Sequence, residues 1–473
     1  MPPYWFREGL SRHPSAVVVL AALVALLIAV GIGYLVLRPP VALLTAASFD
    51  RPRISPNADG QDDLAVIQYK LSRPAVISIY LDAPNGDRYY FRQDERRPAG
   101  SYRVLFSGIV GGFTLPGETV AGVIERRLIP NDTYTWVIEA VDGGKTARKT
   151  GTLVVADADS ALPEITAFEI SPAEFTPNQD GIRDRVSVNV YLAKPASLSV
   201  YLEDTSGQRY YLPEREEGRQ PGDMGNHEYD YDGGVDQGMV PPPDGEYAVF
   251  AVAQDDEGQR IVRQGHLAIR DGGLPQVEIV PQTAGAVVYF GQMPYDERYF
   301  TSLDIAGEPL AKPEGVISDL TTLTLVQGDL LVFKLTVHNY GATPIRTAGP
   351  FPGTVYQFDQ TAASLEAYEE SGAWRVGINC HTAYSDFPWR WALGPRDELQ
   401  AVYDDERDET YYYLLPGQRA EVWGAIRMTE IRKARNPQEC WAGLIHEDVG
   451  IPPFQSRVGA REIELVPPPS APG

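Results

Sequence analysis

Two stretches of the sequence repeat each other and decide the fold. Ile54-Ser55-Pro56-Asn57-Ala58-Asp59-Gly60-Gln61-Asp62-Asp63 recurs 121 residues later as Phe175-Thr176-Pro177-Asn178-Gln179-Asp180-Gly181-Ile182-Arg183-Asp184. After the second stretch, apolar residues alternate with polar ones from Val186 to Leu192. Alternation with a period of two is typical of a strand with one buried face. The pattern therefore predicts a turn followed by a strand, present twice in one chain.

Three further blocks extend the repeat in the same order. They are Leu71–Leu81 with Leu192–Leu202, Arg88–Tyr90 with Arg209–Tyr211, and Tyr134–Asp142 with Tyr247–Asp255. The last pair has a spacing of 113 residues, so the second copy lacks eight residues in a middle loop. Each copy has room for about seven short strands, which favours an antiparallel sandwich of immunoglobulin type. We therefore predict an all-β protein of tandem immunoglobulin-like β-sandwiches.

The repeated motifs resemble a known family of bacterial modules. The opening Ser/Thr-Pro-Asn-x-Asp-Gly-x-x-Asp, the Lys/Arg-Pro-Ala before a strand and the late Asp244-Gly245-Glu246-Tyr247 are similar to FlgD-type immunoglobulin-like domains. Such domains occur in flagellar hook-capping proteins and in gliding-motility-associated surface proteins. The resemblance implies a non-catalytic module of a secreted or surface protein. In the first copy the late element is the looser Asn131-Asp132-Thr133-Tyr134.

Length, composition and net charge limit the number of domains and the classes of partner that the chain can have. The chain has 473 residues, enough for about three domains of ordinary size. Hydrophobic residues make up 43% and charged residues 22%, which excludes wholesale disorder. The net charge of −23 argues against a nucleic-acid partner, because phosphate binding depends on clustered cations.

A long apolar segment precedes the repeat. Residues 16–37 carry no charge, and a helix of this length spans ~33 Å, enough to cross a bilayer core. We predict an uncleaved transmembrane helix that uses the lipid bilayer as its partner, with the N-terminus inside and the bulk of the chain extracytoplasmic. A removed signal peptide and a buried core helix are the alternatives. Nearly all of the acidity follows this segment, since only Arg7, Arg12 and Glu8 are charged before it.

The Asn-x-Asp-Gly loops allow two interpretations. Carboxylate and amide oxygens around a Gly turn could bind Ca²⁺, which prefers six to eight oxygen ligands. Alternatively, the Asn and Asp side chains accept backbone N–H bonds in a plain turn. Ser55 and Thr176 stand where such a calcium loop usually begins with Asp, and neither loop has a Glu at its twelfth position. The candidate ligands are Asn57, Asp59 and Asp63 in the first loop, and Asn178, Asp180 and Asp184 in the second.

The repeat ends at about residue 276, and a different domain follows. Gly328-Asp329 before the alternating strand Leu331–Val337 and Asn339-Tyr340-Gly341 resembles bacterial surface modules of the CARDB and DUF11 kind. Outside the cytoplasm, Cys380 and Cys440 predict a disulfide, although two free buried thiols remain an alternative. In a strand, Trp389-Arg390-Trp391 places two indoles on the same side, so Trp389 and Trp391 are candidates for a platform that binds a glycan or a protein, unless they belong to the core.

The sequence motifs of common enzymes are missing or incomplete. There is no Gly-x-Ser-x-Gly, and neither His227-Glu228 nor His446-Glu447 has the second His of a zinc protease motif. We therefore predict a non-catalytic envelope protein with an unknown envelope-protein or glycan partner. A glycan- or cell-wall-binding head is one alternative, and an envelope hydrolase with an unfamiliar site that includes His381 is another. The predicted segments are a cytoplasmic tail at 1–15, the transmembrane helix at 16–37, a linker at 38–48, repeats at 49–157 and 164–271, a head at 276–466 and a Pro-rich tail at 467–473.

Overall fold

The structure, a computed structural model, describes residues 15–36, 41–215, 220–281, 284–315 and 320–469. Most of the predicted cytoplasmic tail and the end of the Pro-rich tail lie outside these residues. One α-helix, α1 (Ser15–Val36), precedes the strands, and five short 3₁₀ turns lie among the described residues. Everything else of regular structure in the described ranges is β-strand, which confirms the predicted all-β class.

Helix α1 is apolar on all sides. Leu, Ala and Val dominate it, and no charged residue interrupts it. Its segment Val17–Tyr34 has a mean hydropathy of 2.8, and its described side chains are exposed apart from Gly33, which is half-buried. Among the described residues it is the one helix long and apolar enough to cross a membrane.

The first sandwich contains ten strands. A sheet in the order β1-β3-β6 packs against one in the order β2-β10-β9-β4-β5, and β7 pairs with β8. The core lies between the sheets, with Ile67, Ile79 and Ile138 fully buried. The strands are β1 (Leu44–Phe49), β2 (Arg53–Ile54), β3 (Ala65–Leu71), β4 (Ala75–Asp82), β5 (Arg88–Arg97), β6 (Gly100–Phe106), β7 (Ile109–Gly111), β8 (Val123–Leu128), β9 (Asp132–Asp142) and β10 (Lys145–Val155).

The second sandwich repeats the strand order of the first. Its sheets run β11-β13-β16 and β12-β18-β17-β14-β15, which match β1-β3-β6 and β2-β10-β9-β4-β5 one for one. In both copies a two-residue strand before the Asn-x-Asp-Gly loop pairs in parallel with the last strand. The strands are β11 (Ile165–Ser171), β12 (Glu174–Phe175), β13 (Val186–Leu192), β14 (Ser197–Glu203), β15 (Arg209–Tyr211), β16 (Gly225–Tyr231), β17 (Gly245–Gln254) and β18 (Arg260–Ile269).

A tyrosine near the start of an equivalent strand ties down each sandwich. Tyr134 donates its hydroxyl to the carbonyl of Pro130 at 2.7 Å, and Tyr247 donates to Pro243 at 2.6 Å. Such a tyrosine corner is characteristic of immunoglobulin-like sandwiches. The two copies of the repeat therefore share both their strand order and this tyrosine hydrogen bond.

The head is a third and larger sandwich. One sheet runs β19-β22-β29-β24 with β20 also on β22, and the other runs β21-β31-β30-β25-β23-β28-β27 with β26 on β25. The strands are β19 (Val277–Val280), β20 (Tyr289–Met293), β21 (Leu323–Val326), β22 (Leu330–Asn339), β23 (Ile345–Thr347), β24 (Val355–Gln357), β25 (Trp374–Cys380), β26 (Trp389–Ala392), β27 (Gln400–Asp404), β28 (Glu409–Leu414), β29 (Arg419–Arg427), β30 (Gln438–His446) and β31 (Val458–Val466).

The chain divides into two compact units. The described residues up to Glu118, with Ile124–Leu162 and Asp256–Arg260, form the first, and the remaining described residues form the second. The second sandwich and the head therefore belong to one unit. The first sandwich includes β1, so it begins before the predicted boundary at residue 49.

Candidate functional site

The two Asn-x-Asp-Gly loops have the same conformation. We call Asn57–Asp63 the exposed loop and Asn178–Asp184 the docked loop. The first glycine of each has a φ near +82°, at +83° in Gly60 and +82° in Gly181. The position two residues after Asn donates its backbone N–H to the Asn side chain at 3.1 Å in one loop and 3.0 Å in the other. The last Asp accepts the N–H of the glycine in both loops.

These hydrogen bonds favour the turn interpretation over the Ca²⁺ interpretation. Asp59, Asp63, Asp180 and Asp184 all accept backbone N–H groups within their own loops. In the described part of the chain no group of three or more His, Cys, Asp or Glu residues is arranged to hold a metal ion. Calcium binding by these loops stays a prediction. In the described residues, the turn does not bring three or more acidic side chains together around one position.

The docked loop lies in a socket on the head. We define the socket by Arg346, Ser371, Gly372, Tyr413 and His446. Arg346 donates from Nε to the carbonyl of Asp180 at 2.6 Å, and His446 donates from Nε2 to the carbonyl of Gln179 at 2.7 Å. The hydroxyl of Tyr413 lies 3.4 Å from Oδ2 of Asp180.

The backbones of the docked loop and of the socket are in direct contact. A Cβ atom added to Gly181 would lie 2.0 Å from the carbonyl oxygen of Ser371, and one added to Gly372 would lie 2.2 Å from the carbonyl carbon of Asp180. Both glycines also have positive φ, a conformation that other residues adopt at a cost. Only glycine therefore fits at these two facing positions.

A second contact lies beside the loop. Asp271, at the end of the second sandwich, accepts a hydrogen bond through its carbonyl from the Thr343 hydroxyl at 2.7 Å. The side chain of Asn178 donates to the same carbonyl at 3.2 Å. The second sandwich and the head are thus joined by several hydrogen bonds from side chains of the head to backbone carbonyls of the second sandwich, and not by the linker alone.

Neighbouring side chains hold the socket residues in place. His446 stacks on Trp374 with ring centroids 4.3 Å apart. Arg346 also donates to the carbonyl of Ser371 and lies 3.3 Å from Glu370. The next residue after His446, Glu447, is buried and paired with two arginines, Arg375 at 2.9 Å and Arg390 at 2.6 Å. Because a buried carboxylate is stable only when paired, this network fixes the strand that carries His446.

Burial shifts the titration of the groups at this junction. The Asp180 side chain is buried, which together with the nearby Asp184 raises the pKa of Asp180 to about 7. Burial also raises the pKa of Asp184 and that of Tyr413. At His446 burial acts in the other direction and lowers the pKa to about 4. The junction therefore favours a neutral Asp180 and a neutral His446.

A cleft of about 500 Å³ opens beside the docked loop. One wall comes from the second sandwich and the other from the β27–β28 hairpin of the head. Tyrosines and acids dominate its lining. The residues that line it include Asp180, Arg183, Tyr403, Glu406, Tyr411 and Tyr413. Arg183 and Glu406 form an ion pair across it at 2.8 Å.

Among the residues that the structure describes, none forms such a socket around the exposed loop. Ala58, Asp59 and Gly60 are exposed, whereas Asn178 and Asp180 are buried. Ion pairs of the exposed loop include Asp62 with Arg51. The docked loop is therefore bound by the head, whereas the exposed loop presents the same conformation to solvent.

The predicted disulfide is confirmed. Cys380 and Cys440 are bonded and face each other on the neighbouring strands β25 and β30. The bond thus lies within one sheet of the head and closes a loop of 60 residues.

The predicted ligand platform at Trp389 and Trp391 is wrong. Both side chains are fully buried and belong to the core of the head. Trp391 packs edge-on against Phe333 and Tyr356, with ring centroids 4.6 and 4.9 Å away. Alternation placed both indoles on one side of β26 as expected, but that side faces the opposite sheet. The alternative role as core residues is the correct one.

Sequence reasoning missed the socket. Arg346, Tyr413 and His446 lie at least 160 residues after the loop that they hold, and no motif connects them to it. In the sequence, His446-Glu447 is recognisable only as an incomplete zinc protease motif. His381, the candidate for a hydrolase site, lies 4.0 Å from Glu439 and packs edge-on against Trp441 at 5.3 Å.

No family model and no curated protein matches this sequence. Among solved structures, a two-domain fibronectin type-III segment of chicken tenascin matches at 12% identity over 47% of this chain and 97% of that chain, with a TM-score of 0.16. The native conformation of an Escherichia coli alpha-2-macroglobulin matches at 12% identity over 91% of this chain and 23% of that chain, with a TM-score of 0.17. A bacterial ice-binding adhesin matches at 10% identity over 89% of this chain and 96% of that chain, with a TM-score of 0.18.

TM-scores this low support no conclusion about function. The structural class of the chain follows from its own β-sheets. The chain is an all-β protein of tandem immunoglobulin-like sandwiches, with one apolar helix before them and a larger sandwich after them.

Proposed function

We propose that this chain is a membrane-anchored, extracytoplasmic interaction protein of a bacterial cell envelope, and that it is non-catalytic. The observation that carries the proposal is helix α1, whose described side chains from Val17 to Tyr34 are apolar and exposed to solvent except at Gly33. Exposure of so much apolar surface is costly in water and favourable in lipid. In this role α1 anchors the chain and the sandwiches present the head to a partner.

Two features support a location outside the cytoplasm. The disulfide between Cys380 and Cys440 belongs to an oxidising compartment. The residues after α1 contain 39 Lys and Arg against 63 Asp and Glu, a net charge of −24, which keeps an extracellular surface soluble.

The FlgD-type resemblance of the two repeats belongs to this proposal. Its Asn-x-Asp-Gly and Lys/Arg-Pro-Ala motifs fall at equivalent places in two sandwiches with the same strand order. We propose that both sandwiches serve as non-catalytic spacers. The weaker CARDB and DUF11 resemblance gives the head the same kind of role.

Membrane extraction tests the anchor. Leu26→Arg with Leu27→Arg places two charges at the middle of α1, each costing ~2.5–3.5 kcal/mol in a bilayer. We expect wild-type protein to stay in the membrane during carbonate washing and the double variant to be released. Leu26→Ile with Leu27→Ile is the matched control and should stay. Release of the wild type by carbonate would contradict the anchor.

A glycan-binding head is the second candidate, and a cleft in the head favours it. The cleft holds about 730 Å³. Within it, Arg396 stacks on Phe351 and Tyr412, with its guanidinium carbon 4.5 and 5.7 Å from the ring centroids. Planar and aromatic groups of this kind pack well against sugar rings. A glycan array with the full chain should lose signal in Arg396→Ala, and silence across cell-wall polymers would exclude this candidate.

A further inference from the structure

We propose that the exposed loop, Asn57–Asp63, is a docking element for a partner protein that presents a socket like the one on the head. The partner would offer a guanidinium and an imidazole N–H to two successive backbone carbonyls. This inference rests on the proposed function and names the class of partner that the chain would bind.

The contacts of the docked loop show what a partner would recognise. Arg346 and His446 bind the backbone carbonyls of Asp180 and Gln179, and not their side chains. Backbone contacts do not depend on residue identity. The difference between Gln179 and Ala58 at the equivalent position therefore does not affect this recognition.

The exposed loop holds those same backbone groups in the same positions. Ser55 donates its N–H to the carbonyl of Asp62 at 2.9 Å, as Thr176 does to Arg183 at 2.8 Å. Residues with positive φ occur at matching places, at +58° in Ala58 and +59° in Gln179. A loop fixed by so many internal hydrogen bonds loses little conformational entropy on binding, as a preorganised element should.

Of the two described side-chain contacts between the docked loop and the head, the ion pair of Arg183 with Glu406 has no equivalent in the exposed loop, whereas the contact of Asp180 has one. Tyr413 reaches the carboxylate of Asp180, and the corresponding residue of the exposed loop is Asp59. In both loops the other oxygen of this carboxylate accepts a backbone N–H two residues ahead. Gly60 leaves open space where a Cβ would lie, whereas the space at Gly181 is filled by Ser371.

The socket of the same molecule is already occupied. A tethered loop has an effective concentration on the order of mM, which excludes a competing loop from solution at μM concentration. The exposed loop therefore needs a socket on another molecule. A second copy of this chain supplies such a socket once its own loop is prevented from docking, and this copy is the probe for the test.

Gly181→Val in the full chain empties the socket, because its side chain would collide with Ser371. We expect this variant, at about 50 μM in detergent, to associate through its exposed loop and to increase in mass about twofold or more relative to wild type by light scattering. Gly60→Val added to it should abolish the increase. Gly86→Val is the matched control, since Gly86 also has positive φ and open space around it, and it should leave the increase unchanged.

A second variant keeps the test decisive if Gly181→Val does not fold. Gln179→Ala with Ile182→Gln and Arg183→Asp gives the docked loop the sequence of the exposed loop. We expect its melting temperature to stay within about 3 °C of wild type, because the polar contacts that are lost, Arg183 with Glu406 and Gln179 with Asp236, are both exposed. A folded but unassociated Gly181→Val chain, association that ignores Gly60→Val, or a grafted loop that melts like Gly181→Val would each overturn the inference. None of these results would affect carbonate-resistant anchoring, so the proposed function is tested separately.

Discussion

Asp180 is buried where the docked loop meets the head, with its carbonyl hydrogen-bonded to Arg346. Its neutral form is favoured in the folded protein, with a pKa of about 7 against 3.8 for an ordinary Asp. The stability that comes from its protonation is fully present below pH 3.8 and is lost as the pH rises through 7. The groups around it are Asp184, Arg346 and Tyr413.

Asp180→Asn should therefore gain stability relative to wild type as the pH rises from 5 to 8. Each pKa unit corresponds to ~1.4 kcal/mol, so we expect a relative gain of roughly 1–3 kcal/mol. Denaturant unfolding at several pH values measures it. Asp59→Asn makes the same change at the exposed position of the other loop and is the matched control. A pH-independent difference for Asp180→Asn would contradict the burial argument.

His446 gives a trend of the opposite sign. Its pKa of about 4 lies below the ordinary 6.5, so the stability from its neutral form is present above pH 6.5 and is lost as the pH falls through 4. His446→Gln keeps a donor for the carbonyl of Gln179 and cannot be protonated. We expect it to gain stability relative to wild type between pH 7 and pH 4.5. The exposed His266→Gln serves as the control in the same unfolding series, and equal behaviour of the two would refute the assignment.

The two repeated sandwiches could be predicted from the sequence, whereas the socket that binds the docked loop could not. The matching blocks around Asn57 and Asn178 predict two sandwiches because strand period and turn residues are local properties of a sequence. The socket depends on Arg346 and His446, which come from strands β23 and β30 of another domain. Only tertiary packing brings them to the loop. For the same reason, alternation correctly placed Trp389 and Trp391 on one side of a strand but could not say which side was buried.

The tyrosine corners are elements whose contribution can be measured. Tyr134→Phe and Tyr247→Phe each remove one hydrogen bond to a proline carbonyl, at 2.7 and 2.6 Å. A buried hydrogen bond of this kind contributes ~1 kcal/mol, so each change should lower stability by about that amount. Calorimetry of the full chain measures both. Tyr191→Phe, on an exposed face of β13, is the control, and a loss of equal size there would argue against a special role for the corners.

The disulfide links two neighbouring strands of the head. Cys380→Ala with Cys440→Ala removes a cross-link that closes a loop of 60 residues. We expect a loss of ~2–4 kcal/mol in the unfolding of the head, chiefly because the unfolded chain becomes less constrained. The same shift should follow from reducing the wild type, and the double variant should not respond to reductant. A reductant effect on the double variant would assign the shift to another cause.

The described chain consists of one apolar helix, two copies of one sandwich and a larger sandwich that holds one of the two repeated loops. The second sandwich and the head share one compact unit because the docked loop, Thr343 and Asp271 join them by hydrogen bonds. We therefore expect these two domains to unfold together in a single calorimetric transition. Separate transitions that Arg346→Ala leaves unchanged would contradict a joined unit.

We propose that α1 remains on the mature protein and holds the sandwiches outside the cytoplasm. Protease treatment of intact cells, followed by mass spectrometry of the protein in the membrane fraction, tests both parts at once. We expect digestion of residues beyond α1 from outside, with α1 itself recovered from the membrane. A mature chain that begins after α1, or sandwiches that resist protease until the cells are lysed, would contradict it.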